Sequence, residues 1–246
     1  MSDATDRLPR GRHGLSRAEV ADVQRRRITG AMTLAMAEKG YAATSVADVI
    51  GRAGVSRETY YQQFRCKLDC FLAAFDAAAA ELFAPIGDVA DPAALLAGAP
   101  GPADRLDRFD ELLGAYLRGL TARPELAKVF LVEVYAAGPE AVARRVELQA
   151  EITAAVAVLL GASNDRGRFA CQALVAAISA LVTPLLVADD LAGIVALREP
   201  IVDLAAGSLL ARPSCACGCT ALDTPHRRAA PGRLPAAGCD EAEMVP

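Results

Sequence analysis

The chain contains no tryptophan, few aromatic residues (5%) and only two histidines, His13 and His226. Histidine is the usual proton carrier near neutral pH and a common zinc ligand, so its scarcity argues against His-based catalysis or a zinc centre. A glycine-rich loop able to cradle a nucleotide is also missing, so neither enzymatic chemistry nor a cofactor is expected. No convincing run of alternating apolar and polar residues marks a strand. The Met1–Gly14 stretch lacks the apolar segment of a secretory signal, which predicts a cytoplasmic, reducing setting. Seven cysteines, an odd number, do not suit a disulfide framework in that setting.

What is present points to helices. Hydrophobic residues reach 53% of the 246 positions, and 53 of those residues are alanine, the best helix former. The formal charge of -4 hides an asymmetry: residues 1–70 hold 12 Lys and Arg against 8 Asp and Glu, and the remainder 14 against 22. A basic N-terminal portion of +4 on a body of -8 predicts that nucleic acid meets the first segment only.

Ser16-x-x-Glu19 is a capping box that opens a first helix, ended by Gly40. Ser45-x-x-Asp48 caps a second, barely two turns long, stopped at Gly54. Ser56 caps a third over 57–64, and a fourth runs from Lys67 to Phe83. Two short helices joined through Gly54-Val55 spell a helix-turn-helix, with glycine at the turn because the backbone there takes a positive φ. On that geometry Val49, Ala53, Val55 and Tyr60 face inward. Ser56, Arg57, Thr59, Tyr61 and Gln62 face a DNA major groove, where Arg57 can donate a fork to guanine and Gln62 can pair with adenine. Ser45 and Gln63 complete the expected contact set, with Thr44, Tyr61 and Lys67 on phosphates.

The run Gly40-Tyr41-Ala42-Ala43-Thr44-Ser45-Val46-Ala47-Asp48-Val49-Ile50, followed by Ala53-Gly54-Val55-Ser56-Arg57-Glu58-Thr59-Tyr60-Tyr61, Phe64 and Lys67, closely resembles the DNA-binding domain of the tetracycline-repressor (TetR) family. The resemblance is strong over residues 16–83 and extends beyond only as a pattern of amphipathic helices. It implies a homodimeric transcriptional regulator, usually a repressor, that leaves a palindromic operator when a small molecule occupies its C-terminal domain. By the same resemblance, Tyr61 and Lys67 match positions that meet the DNA backbone, and the 67–83 helix links reading head to effector domain. Glu58 stands where many members carry a small residue.

The expected fold is therefore all-α: a flexible basic arm (1–15), a helix-turn-helix domain (16–66), a helical effector and dimerisation domain (67–211), and a disordered tail (212–246). Arg10, Arg12 and Arg17 either reach DNA from the arm or belong to a solvated terminus. Phe109, Leu113, Tyr116, Phe130, Val134, Tyr135 and Phe169 are candidates for a pocket holding a hydrophobic effector, although stripes at helical spacing are more often plain core. The uncharged stretch 169–188 is long enough to span a bilayer. Its small residues predict instead a dimer interface through Ala173, Ala177, Leu181 and Leu185, with no membrane partner. Cys66 and Cys70, one turn apart, read as an exposed and a packed residue rather than a thiol switch. Cys215, Cys217 and Cys219 could hold a soft metal or be inert, and the missing CxxC spacing favours the second. The rivals to a ligand-responsive repressor are a helical protein-binding adaptor and a regulator without small-molecule control.

Overall fold

The computed structural model describes residues 16–84 and 101–207, and these are helical throughout, with no strand among them. The basic arm through Gly14, with Arg10 and Arg12, the Pro/Gly-rich connection over 85–100 and the cysteine-bearing tail lie outside the described residues.

Helix α1 (Arg17–Ala43) starts where the capping box predicts: Ser16 Oγ accepts from the Glu19 N–H at 3.2 Å and the Glu19 carboxylate accepts from the Ser16 N–H at 2.6 Å. Its buried stripe is Ile28, Ala31, Met32, Ala35 and Met36, an i, i+3, i+4, i+7, i+8 pattern. Gly40, at φ 77°, interrupts the regular helix and turns the chain toward α2 (Val46–Ala53). The turn into α3 (Arg57–Gln63) runs through Gly54 at φ 61°, a left-handed conformation that costs any other L-residue free energy. Helix α4 (Lys67–Phe83) then carries Cys70, Phe71, Ala74, Phe75, Ala78, Ala79 and Leu82 into the core.

The body continues with α5 (Pro102–Ala122), opened by a proline in the first turn. Segment α6 comprises a short α-helix (Pro124–Lys128), a wider π turn (Val129–Glu133) and a last turn (Val134–Ala136). Two long helices follow, α7 (Pro139–Leu159) and α8 (Asp165–Val187), which pack on each other. Beyond them the position of Pro200 predicts a last helix that it opens and that ends near Ala211. Instead two short helices form, α9 (Leu191–Ala196) and α10 (Arg198–Ala205), because Asp190 supplies its own cap to Gly193 and Pro200 fits inside the first turn of α10. A bidentate pair from Arg198 to Asp110, at 2.6 and 2.9 Å, pins α10 to α5 over Gly114.

Candidate nucleic-acid interface and internal cavity

The head formed by α1–α3 is organised from its helix ends. Arg27 donates to the Ala53 carbonyl (2.7 Å) at the end of α2, and Arg25 to the Gln63 carbonyl (3.1 Å) at the end of α3, so two cations of α1 meet the negative ends of both short helices. Arg25 also stacks on Phe64, 4.4 Å from the ring centre. Inside, Val49, Ala53 and Tyr60 are buried and Val55 is half-buried, as the inward set requires, and Phe64 is buried as well. Asp48 caps α2 together with Ser45 and meets Lys39 at 2.7 Å; these bonds hold its carboxyl well below the usual range.

One face of α3 is left open. Ser56, Arg57, Glu58, Tyr61 and Gln62 are exposed and Thr59 is half-buried, so five side chains project outward within two turns. The Arg57 guanidinium rests 5.8 Å from the Tyr61 ring, and Gln62 donates to Glu58 at 3.3 Å. Both contacts are exposed and weak enough to exchange for base edges or phosphates. Glu58 thereby orients Gln62 on the same face.

Other expected contacts are corrected by the structure. Thr44 is buried and its hydroxyl donates to the Gly40 carbonyl at 2.7 Å, so it shapes the α1–α2 turn and does not face phosphate. The Lys67 ammonium donates to the Tyr41 and Thr44 carbonyls, both at 3.0 Å, and lies 4.0 Å from the Tyr41 ring centre. It clamps that turn to the start of α4, a role that its spacing alone does not reveal. Ser45 caps α2, Gln63 is half-buried, and Arg17 is exposed at the start of α1.

The turn is also tied to the body: the Tyr41 N–H donates to Glu133 in the π turn of α6 at 2.6 Å. From Tyr41 a chain of rings descends through Phe71, Phe75, Phe130 and Phe83 to Tyr116, with successive centroids 5.2, 6.3, 5.3, 5.6 and 5.2 Å apart. It ends at a cavity of about 450 Å³ between α4, α5, α6, α7 and α8. Volumes of roughly 300–1,000 Å³ hold drug-sized ligands. Of the pocket candidates, Phe109, Leu113, Tyr116 and Phe130 line this cavity.

Three pocket candidates fall elsewhere. Val134 is sealed in the core; Tyr135 and Phe169 are 58% and 70% exposed, because their helical positions turn them away from the bundle centre. Wall residues missed from sequence include Phe83, Leu148, Ile152, Val156 and Arg145. On α7 these recur at three- and four-residue spacing, and an arginine within such an apolar stripe is the signal that could have found the site.

Residues 28–74 match the model for bacterial regulatory proteins of the tetR family. Over that stretch, which holds most of α1, all of α2 and α3 and the start of α4, the chain is similar to the DNA-binding domain of tetR-family regulators. Among solved structures, the fatty acid degradation regulator FadR from Bacillus halodurans is similar, with 22% identity, a TM-score of 0.60 and coverage of 77% of this chain and 97% of that one. FadR from Bacillus subtilis, solved in complex with stearoyl-CoA, gives 19%, 0.59, 73% and 96%. PfmR from Thermus thermophilus gives 17%, 0.54, 72% and 97%. At these identities the likeness is one of fold, and it covers the helical body as well as the N-terminal helices. No curated protein matches the sequence.

Proposed function

We propose that the chain is a ligand-responsive, cytoplasmic repressor that binds a near-palindromic operator as a homodimer and releases it when a hydrophobic small molecule fills the cavity. The observation that carries this reading is one continuous structure: α4 is clamped to the reading head at Lys67 and forms the cavity wall at Ala79 and Phe83. A ligand that moves Phe83 and Phe130 acts on the rings packed beneath Tyr41. The π turn carries both Phe130 and Glu133, so it also acts on the hydrogen bond that holds the head. A coupling of about 1–3 kcal/mol changes operator affinity roughly 5- to 150-fold. The stearoyl-CoA held by the similar Bacillus subtilis structure supports an acyl chain as the occupant.

The dimer rests on a second observation. Along α8, Phe169, Ala173, Ala176, Ala180, Leu181, Pro184 and Val187 stay exposed, and α7 beside it exposes Ala143, Val146, Ala150, Ala154 and Val158. Two such stripes on adjacent helices match a four-helix packing between copies, with alanines that let backbones approach. Of the dimer residues expected from sequence, Ala173 and Leu181 lie on this face, whereas Ala177 and Leu185 are half-buried on its inner edge. By length and composition α8 could also cross a membrane, and only 28% of its apolar window is buried; pairing with a second copy covers the rest in water.

Gel shift with DNA upstream of the protein's own gene tests the reading. Specific binding at low salt by two copies per site, relieved by hexadecanoate or hexadecanoyl-CoA, supports it. Absence of DNA binding moves the chain to the adaptor class.

A further inference from the structure

Arg145 is 6% exposed, yet no carboxylate lies within ion-pairing distance of it among the described residues. Its neighbour Arg144 shows the contrast: Asp76 at 2.9 Å and Glu147 at 3.3 Å neutralise it, and Glu151 adds to its negative surroundings. A buried cation without a counter-charge is costly, and such a group marks a place where an anion is expected.

The hydrogen bonding of Arg145 is also incomplete. Nη1 donates to the Phe130 carbonyl at 3.0 Å, and the guanidinium lies 5.6 Å from the Phe130 ring centre and 5.4 Å from that of Tyr135. A guanidinium has five N–H donors. None of its nitrogens is both sealed and unbonded, so the donors not used on Phe130 open onto accessible space, and Arg145 is part of the cavity wall.

Tyr116, which lines the same cavity and is 8% exposed, makes no hydrogen bond among the described residues and is likewise not sealed. Burial raises its phenol above the usual range while the Arg145 charge pulls the other way, which places the two groups in one electrostatic neighbourhood. Two carboxylates also line the wall: Asp76 is engaged by Arg144, and Glu151 adds to the negative surroundings of that same arginine. The rest of the wall is mostly leucine, isoleucine, valine, phenylalanine and alanine, with Gln149 and Ser179 as its uncharged polar members.

We propose that the cavity takes an amphiphile with an apolar tail and one anionic head, of the class of long-chain carboxylates, and that Arg145 and Tyr116 donate to that head. This rests on the cavity being the effector site and adds the chemistry of its ligand. Arg145 then reports the head directly to α6 through the Phe130 carbonyl.

The test is calorimetric titration of the full chain with submicellar hexadecanoate, hexadecanol and hexadecanoyl-CoA. Hexadecanoate should bind roughly ten- to a hundredfold tighter than hexadecanol, the range expected of a charged hydrogen bond. Arg145→Gln, which keeps one N–H for the Phe130 carbonyl, should remove that preference by lowering hexadecanoate affinity far more than hexadecanol affinity; Tyr116→Phe should reduce the preference in part. Equal affinities in the unaltered chain overturn the anionic head while leaving an apolar effector standing. An equal loss for both ligands in Arg145→Gln overturns it in favour of a structural arginine, and so does tight hexadecanoyl-CoA binding indifferent to Arg145. Failure of all three ligands to bind overturns the effector reading with it.

Discussion

Gly54 sits where the two short helices must turn, at φ 61°, and a Cβ there would lie 3.3 Å from the Arg27 Nη2 that bonds the end of α2. Gly54→Ala therefore adds backbone strain and crowds a cap, and should cost about 1–2 kcal/mol, read as a lower urea midpoint with unchanged slope. Arg57 is the opposite kind of residue, exposed and unneeded by the fold. Arg57→Ala should leave the midpoint within about 0.5 kcal/mol and weaken specific operator binding by roughly 1–3 kcal/mol, measured by fluorescence anisotropy. Lys67→Met separates clamp from contact: an ammonium holding two carbonyls predicts a lower midpoint, whereas a phosphate contact alone predicts normal stability and a shallower salt dependence. Cys70 is buried and its thiol is pushed up to about 12, so at neutral pH it should resist alkylation in the native chain while exposed Cys66 reacts.

At the scale of elements, the head was the most legible part. Its capping residues, turn glycine and inward stripe are local signals, and Ser16, Ser45, Gly54 and Tyr60 stand where short-range spacing puts them. The body was legible as helices but not as a site. Whether Phe109 or Phe169 faces a cavity depends on how α5 and α8 cross other helices, and no local period carries that information. Thr44 and Lys67 misled for a related reason: their partners, Gly40 and Tyr41, become neighbours only once Gly40 breaks α1. The π turn in α6 had no sequence signature either, yet it aims Glu133 at Tyr41. Glu133→Gln should weaken that hold and lower the ligand response of operator binding more than ligand affinity itself. At the outer face, Ala180→Glu with Leu181→Glu should yield folded monomers by light scattering and lose operator affinity, since neither side chain is needed inside the protomer.

Over the whole molecule, titration brackets the stable range from both sides. Asp48 has a lowered carboxyl, so its contribution is present above the ordinary value of 3.8 and fades as pH falls below it. Cys70, Tyr60 and Tyr116 have raised values because burial disfavours their anions; the unfolded chain ionises them first. Stability is therefore complete below their ordinary values of 9.0 and 10.0 and declines as pH rises past them. Urea midpoints should stay flat between about pH 5 and 8 and fall on either side. Charge also divides along the sequence, +4 over residues 1–70 and -8 over the rest, which under the proposed function directs DNA to the first segment. The most direct measurement is selection of bound duplexes from a random pool by the full chain, run in parallel with Arg57→Ala. The account predicts an enriched inverted repeat, occupied by two copies with half-sites about one helical turn or a multiple apart, and its loss in the variant. Enrichment of nothing at low salt, or of the same site by both proteins with equal affinity, would contradict it.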